Sequence, residues 1–266
     1  MAITAIAAGL VAAGTTDPSA AVGAPTGYVA GDLDVLIAHW KDSVITASTP
    51  AGFTLWANVT GGSGVTGVDT GLVRLMVWYR VLVGGETDPT IDFASAPNAY
   101  QAVRMGYRKA AGETWNIVTG AGGTTTGSDT TGSATSYSVT GAGTLVMAVG
   151  DWVMQATSFN GDAGTPGATT WTFTAGTVGS INGRVPDIGT TQGGDLRFDV
   201  SDRSVTGAGT GTPTYSRVWT SGNAAFAGCT FFGRLRVTAA AVSPRPRGHR
   251  RPVTQVPPKT FGAVYP

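Results

Sequence analysis

Acid–base and nucleophilic chemistry needs side chains that this chain uses sparingly. It has two histidines, His39 and His249, one cysteine, Cys229, and two glutamates, Glu86 and Glu113. A Ser-His-Asp triad requires a histidine as general base and a carboxylate to orient it. His39, next to Trp40 and near Asp34 and Asp42, is the one candidate in the body of the chain, and no G-x-S-x-G elbow accompanies it. Asp32 with Asp34, or Asp199 with Asp202, could supply the paired acids of a glycosidase. Aspartates in turns and at strand ends more often accept local hydrogen bonds. A D-x-[DN]-x-[DN]-G calcium loop is absent, as is a glycine-rich phosphate loop ending in Lys-Ser/Thr. A single cysteine excludes an internal disulfide and any multi-cysteine metal site. The expectation is therefore no catalytic residues, no metal and no cofactor.

Binding chemistry is better represented. Seven tryptophans could stack sugars. Trp152 and Trp171 flank the polar stretch 155–169 and are the pair expected to be exposed to a host-surface glycan. The others fall in strand-like segments, where aromatic side chains pack in cores or against subunits. Residues 239–266 form a second binding element. They hold Arg245, Arg247, Arg250, Arg251 and Lys259 with no acidic residue, and six of the 14 prolines. The remainder of the chain then carries 12 basic and 16 acidic residues. A basic arm on a mildly acidic body suits docking. Only Phe261 and Tyr265 could stack on bases and neither lies among the arginines, so an acidic protein surface is a better partner than nucleic acid. Phe261, Val264 and Tyr265 are the expected apolar anchor, with the four arginines guiding register. Proline fixes φ and removes a donor, so the arm is expected to be extended.

The elements that must position these residues read as strands. Charged residues are 12% of the chain, lysine and glutamate are rare, and there are 40 glycines. Threonine and valine favour strands, and glycine supplies turns. Leu72–Leu82 alternates apolar Val73, Leu75, Val77, Tyr79 and Val81 with a face carrying Arg74 and Arg80. Residues 101–109 set Val103, Met105 and Tyr107 against Arg104 and Arg108. Residues 196–200 and 225–237 repeat the device. Further strands are expected at 3–12, 33–40, 53–59, 89–94, 114–119, 135–140, 144–153, 170–175 and 214–220. Residues 119–135 and 160–169 read as polar, glycine-rich loops. No segment approaches the ~18 apolar residues of a membrane span.

So many half-apolar strands imply an all-β, two-layer antiparallel sandwich over residues 1–238, followed by the extended arm. The loop at 119–135 divides the body into halves, about 1–118 and 136–238, with a faint likeness. Gly31–Asp42 parallels Gly143–Trp152, and Tyr100–Lys109 parallels the closing strand. Two such halves suit a jelly roll.

The order of short segments resembles phage and prophage virion proteins of the minor tail protein type. The segments are Gly31-Asp32-Leu33-Asp34-Val35-Leu36, Pro50-Ala51-Gly52-Phe53-Thr54-Leu55, Val77-Trp78-Tyr79-Arg80-Val81, Gly106-Tyr107-Arg108 and an Ala-, Phe- and Gly-rich closing strand. The resemblance implies a jelly-roll-like sandwich in a phage particle, contacting other virion proteins and copies of itself, with no catalytic residues to inherit. A capsid decoration or head-fibre protein, and a carbohydrate-binding module touching the host envelope, are the alternative expectations.

Overall fold

The computed structural model describes residues 2–15, 17–42, 44–63, 71–133, 136–160, 165–189, 196–221 and 226–239. All its regular elements are β-strands, and every strand pairing is antiparallel. Two large sheets face each other. The first runs, in spatial order, Ile3–Ala5, Tyr100–Lys109, Leu33–Lys41, Val73–Val81 and Thr54–Gly61. The second runs Thr124–Ser133, Phe226–Leu235, Trp152–Asn160, Leu196–Gly207, with Asn182–Gly189 and Thr177–Val178 along the last strand.

The two sheets share one connection pattern. In each, the first strand of the half lies beside the last, and the second strand beside the last on its other side. Each half also sends a small strand pair to the outside. In the first half, Ser19–Ala21 pairs with Thr90–Asp92; in the second, Ser136–Thr140 pairs with Pro213–Ser221, extended by Thr165–Phe173. Topologically, Tyr100–Lys109 corresponds to Phe226–Leu235. Leu33–Lys41 corresponds to Trp152–Asn160, a strand beyond the Gly143–Trp152 segment that resembles it in sequence.

Alternation sends one apolar set from each sheet into the shared core. Val35, Ile37, Leu75, Val77, Val103 and Met105 meet Met154, Ala156, Phe198, Val200, Cys229 and Phe231. The sheets approach closely enough that a β-carbon on Gly61 would overlap the backbone of Gly228.

The structure adds layers to the two that sequence patterning predicts. The outer face of the first sheet covers a second apolar cluster, including Leu36, Trp40, Trp78 and Tyr100, under Ala20, Ile91 and Phe93. The outer face of the second covers Val153, Phe159 and Phe232 under Tyr137, Trp171 and Tyr215. Every residue of Leu33–Lys41 is consequently buried.

Both expected loops contain strands. Thr124–Ser133 pairs with Phe226–Leu235, and Gly123 just before it and the alternate residues Thr125 and Gly127 within it are buried. Low sequence complexity hides a period-two pattern whose inward side chains are small. Gly127 faces Val139 and Thr140 with no space for a β-carbon, and threonine fits a pleated, half-buried surface. Residues 165–173 form an irregular strand, bulged on both sides of Pro166 where the proline cannot donate to the ladder. The expected strand at 144–153 divides into Leu145–Met147 and Trp152–Asn160 around a turn at Gly150, whose φ is 92°.

Candidate functional site

The carboxylates that could have formed catalytic pairs are each held by arginine. Asp34 is fully buried on the outer face of the first sheet. Register places Arg80 directly opposite on one neighbouring strand and Gly106 on the other, with Arg104 diagonal to it. Arg80 Nε donates to Asp34 Oδ2 at 2.9 Å, Arg104 Nη2 to the same oxygen at 2.7 Å, and Tyr28 Oη to Oδ1 at 3.0 Å. Burial, and then the Asp34 charge, push the Tyr28 phenol far above its usual range. Arg104 also reaches Asp88, which is half-exposed. Asp32 is gripped by Arg108 through both oxygens.

The second half repeats the arrangement. Asp199 accepts from Tyr215 Oη at 2.6 Å and Arg217 Nη1 at 2.9 Å. Asp202 accepts a fork from Arg184 at 2.7 and 3.0 Å, and Tyr107 Oη at 3.1 Å from the opposing sheet. Each carboxylate thus takes charge-assisted hydrogen bonds that join it to a neighbouring strand or loop. Among the described residues, no three His, Cys, Asp or Glu side chains are grouped as a metal site would require.

His39 points between the sheets. Its Nε2 lies 2.7 Å from Gln101 Oε1 and its Nδ1 2.9 Å from Ser158 Oγ, and the ring stacks on Phe198 at 4.3 Å. With Gln101 Oε1 as acceptor, the proton sits on Nε2 and Ser158 donates to Nδ1. The arrangement has the shape of a Ser-His dyad with an amide where a carboxylate would orient the base. All three side chains are sealed from solvent. Burial lowers the imidazole to about 3, so in the folded chain it is a neutral cross-sheet hydrogen-bonding group. Cys229 is likewise buried, and burial raises its thiol far above the usual range.

The expected glycan pair does not form an exposed platform. Trp171 is 4% exposed and packs with Phe173 and Phe232 on the inner side of its own strand Thr165–Phe173, with Arg203 over its ring. Trp152 is half-buried on the other side of its own sheet, edge-on to Tyr107. The polar sequence around them suggested exposure; the covering strands, invisible in local composition, remove it.

The root of the arm is within the described structure, and the arm is not. Arg245, Arg247, Arg250, Arg251, Phe261, Val264 and Tyr265 all lie outside the described residues. Val237–Ala239 forms a short ladder with Glu113–Trp115, so the end of the second half is tied to the first. Arg236, just before it, forks onto Asp151 at 2.8 and 2.6 Å, and Asp151 caps the preceding turn by accepting from Ala148 N at 2.7 Å. Beside this ladder lies a cavity of about 280 Å³ lined by Ala148, Val149, Gly150, Asp151 and residues 236–239. No sequence pattern marked it, because 148–151 and 236–239 meet through the pairing of Trp152 with Leu235 and the Asp151–Arg236 fork, both between residues far apart in the chain. Comparison of the chain with protein-family models, with curated proteins and with solved structures finds no match.

Proposed function

We propose that this chain is a non-enzymatic structural protein of a phage particle, a minor tail protein of the tail tip or baseplate fastened to its neighbours by the C-terminal arm. The observation that carries the reading is the change in composition after Val237–Ala239, the last described strand. Residues 239–266 are basic and proline-rich with no acidic residue, on a chain whose remainder carries 12 basic and 16 acidic residues. Such a segment suits attachment better than turnover. The arginine-held carboxylates and the sealed His39 support the non-enzymatic part. The phage part rests on the order of segments in the sequence.

The test is location. Particles carrying the chain with an N-terminal epitope tag would be imaged by immunogold electron microscopy. Label at the tail tip or baseplate is expected. Label on the capsid would make it a decoration or head-fibre protein, and unlabelled particles would overturn the virion reading. Release of reducing ends from host-envelope polysaccharide by the purified chain would overturn the non-enzymatic reading.

A further inference from the structure

We infer that Lys41 and Asn160 join in an intramolecular isopeptide bond that ties the two large sheets together at one end of the sandwich. The inference is independent of how the arm is read.

Strand pairing fixes the direction of both side chains. Lys41 lies directly opposite Val73, which belongs to the core between the sheets. Directly opposed residues share a face, so Lys41 leaves the first sheet toward the second. Asn160 lies opposite Leu196, another residue of that core, and leaves the second sheet toward the first. Lys41 is 1% exposed and Asn160 is fully buried.

Two contacts align their strands. Leu33 pairs with Tyr107, whose ring meets Trp152. Six residues further along each strand, His39 meets Ser158. Leu33–Lys41 and Trp152–Asn160 therefore run the same way across the core. Side chains return to one face every second residue, so the next inward pair after His39 and Ser158 is Lys41 and Asn160. A third contact agrees. Asn160 Nδ2 donates to the carbonyl of Gly71, just ahead of the Val73 that pairs with Lys41.

The chemistry of the two groups matches. Buried polar groups are normally hydrogen-bonded, yet Asn160 engages only through its donor, and its Oδ1 has no partner among the described residues. Lysine is seldom this deeply buried. A lysine amine is a nucleophile, and holding it against a carboxamide replaces a bimolecular encounter by an intramolecular step. Lys41 Nζ attacks Asn160 Cγ. The Nζ–Cγ bond forms and the Cγ–Nδ2 bond breaks. Two protons pass from the lysine ammonium to the departing nitrogen, which leaves as ammonium. No oxidant or cofactor is consumed, and exclusion of water removes competing hydrolysis. The bond closes a long loop of chain, as a disulfide would. A chain whose one cysteine is Cys229 has no internal disulfide to serve that purpose.

The test is the intact mass of the purified full-length chain under denaturing conditions, followed by tryptic mapping. The mass is expected about 17 Da, one ammonia, below that of the sequence. Trypsin should fail to cut after Lys41 and should release a branched peptide joining residues 1–74 to residues 110–184. Lys41→Arg, with folding checked by urea titration, should show its full sequence mass and no branch; Lys41→Met stands in should the arginine prevent folding. An unmodified chain at its full sequence mass would overturn the inference. So would a loss of ammonia that persists in the lysine variant, or one that digests without the branch. Either would mark a succinimide at an Asn-Gly step, such as 160–161 or 182–183.

Discussion

Asp34 and Arg104 meet as a buried fork on the outer face of the first sheet, with Arg104 Nε 3.1 Å from Oδ1 and Nη2 2.7 Å from Oδ2. Arg80 approaches the same carboxylate from the opposite strand. Both arginines belong to the polar face that alternation would send to solvent. Covering strands turn that face into a second interior, and the charges are retained there as pairs.

Removing one partner of a buried pair leaves an uncompensated charge, which costs about 3–5 kcal/mol. Asp34→Asn should lower the unfolding free energy by that amount in urea titrations at pH 7. Replacing the set with apolar residues (Asp34→Leu, Arg80→Leu, Arg104→Met) should cost much less than the single change. Equal or greater loss in the triple variant would show that the ion pairs, rather than filled volume, hold this layer.

Gly61 and Gly228 predict a sharper effect. A β-carbon on Gly61 would overlap the carbonyl of Gly228, and one on Gly228 would overlap the carbonyl of Ser158. Neither obstacle is a flexible side-chain end, so at Gly61 the sheets must separate and at Gly228 the strand must shift from its neighbour Trp152–Asn160. Gly61→Ala should destabilise the fold by roughly 1–3 kcal/mol or more, the range for overpacking. Gly183, also in a strand, has open space around its α-carbon, and Gly183→Ala should stay within about 0.5 kcal/mol, as surface changes usually do. Midpoints in urea for the two variants check the contrast.

Leu33–Lys41, Val73–Val81, Tyr100–Lys109, the start of Leu196–Gly207 and Phe226–Leu235 were legible because their inward faces alternate, with Leu75, Val77 and Val103 on one sheet and Phe198 and Val200 on the other; Asn182–Gly189 and most of Trp152–Asn160 were not. What lies outside those faces was not legible. Arg80 and Arg104 look solvent-facing in isolation, and only Leu36, Ala38 and Trp40, apolar on the second face of their own strand, hint at a cover. Thr124–Ser133 was obscured because glycine and threonine fill its buried face, and a composition rule reads them as loop. The His39–Ser158 contact joins residues 119 apart, a pairing set by sheet packing that no local pattern encodes. The groove at the arm root is hidden for the same reason.

His39 gives the fold a pH dependence with a defined sign. Burial holds the folded imidazole at about 3, against 6.5 for the ordinary group. Between those values the unfolded chain binds a proton that the folded chain refuses, so stability falls as pH drops below 6.5. From pH 7 to pH 5 the loss attributable to this group is about 2 kcal/mol. His39→Gln should be less stable at pH 7 but lose about that much less over the same interval. Parallel pH profiles for the two chains would contradict the assignment.

If the chain attaches to its neighbours through the arm at 239–266, as proposed, truncation after Ala239 shows it most directly. The truncated chain keeps every described strand and should unfold at the same urea midpoint as the full chain. Its copy number in purified particles, measured by quantitative mass spectrometry against the full-length chain, should fall to background. Incorporation at the full-length level would contradict the account and make the arm a passive tail.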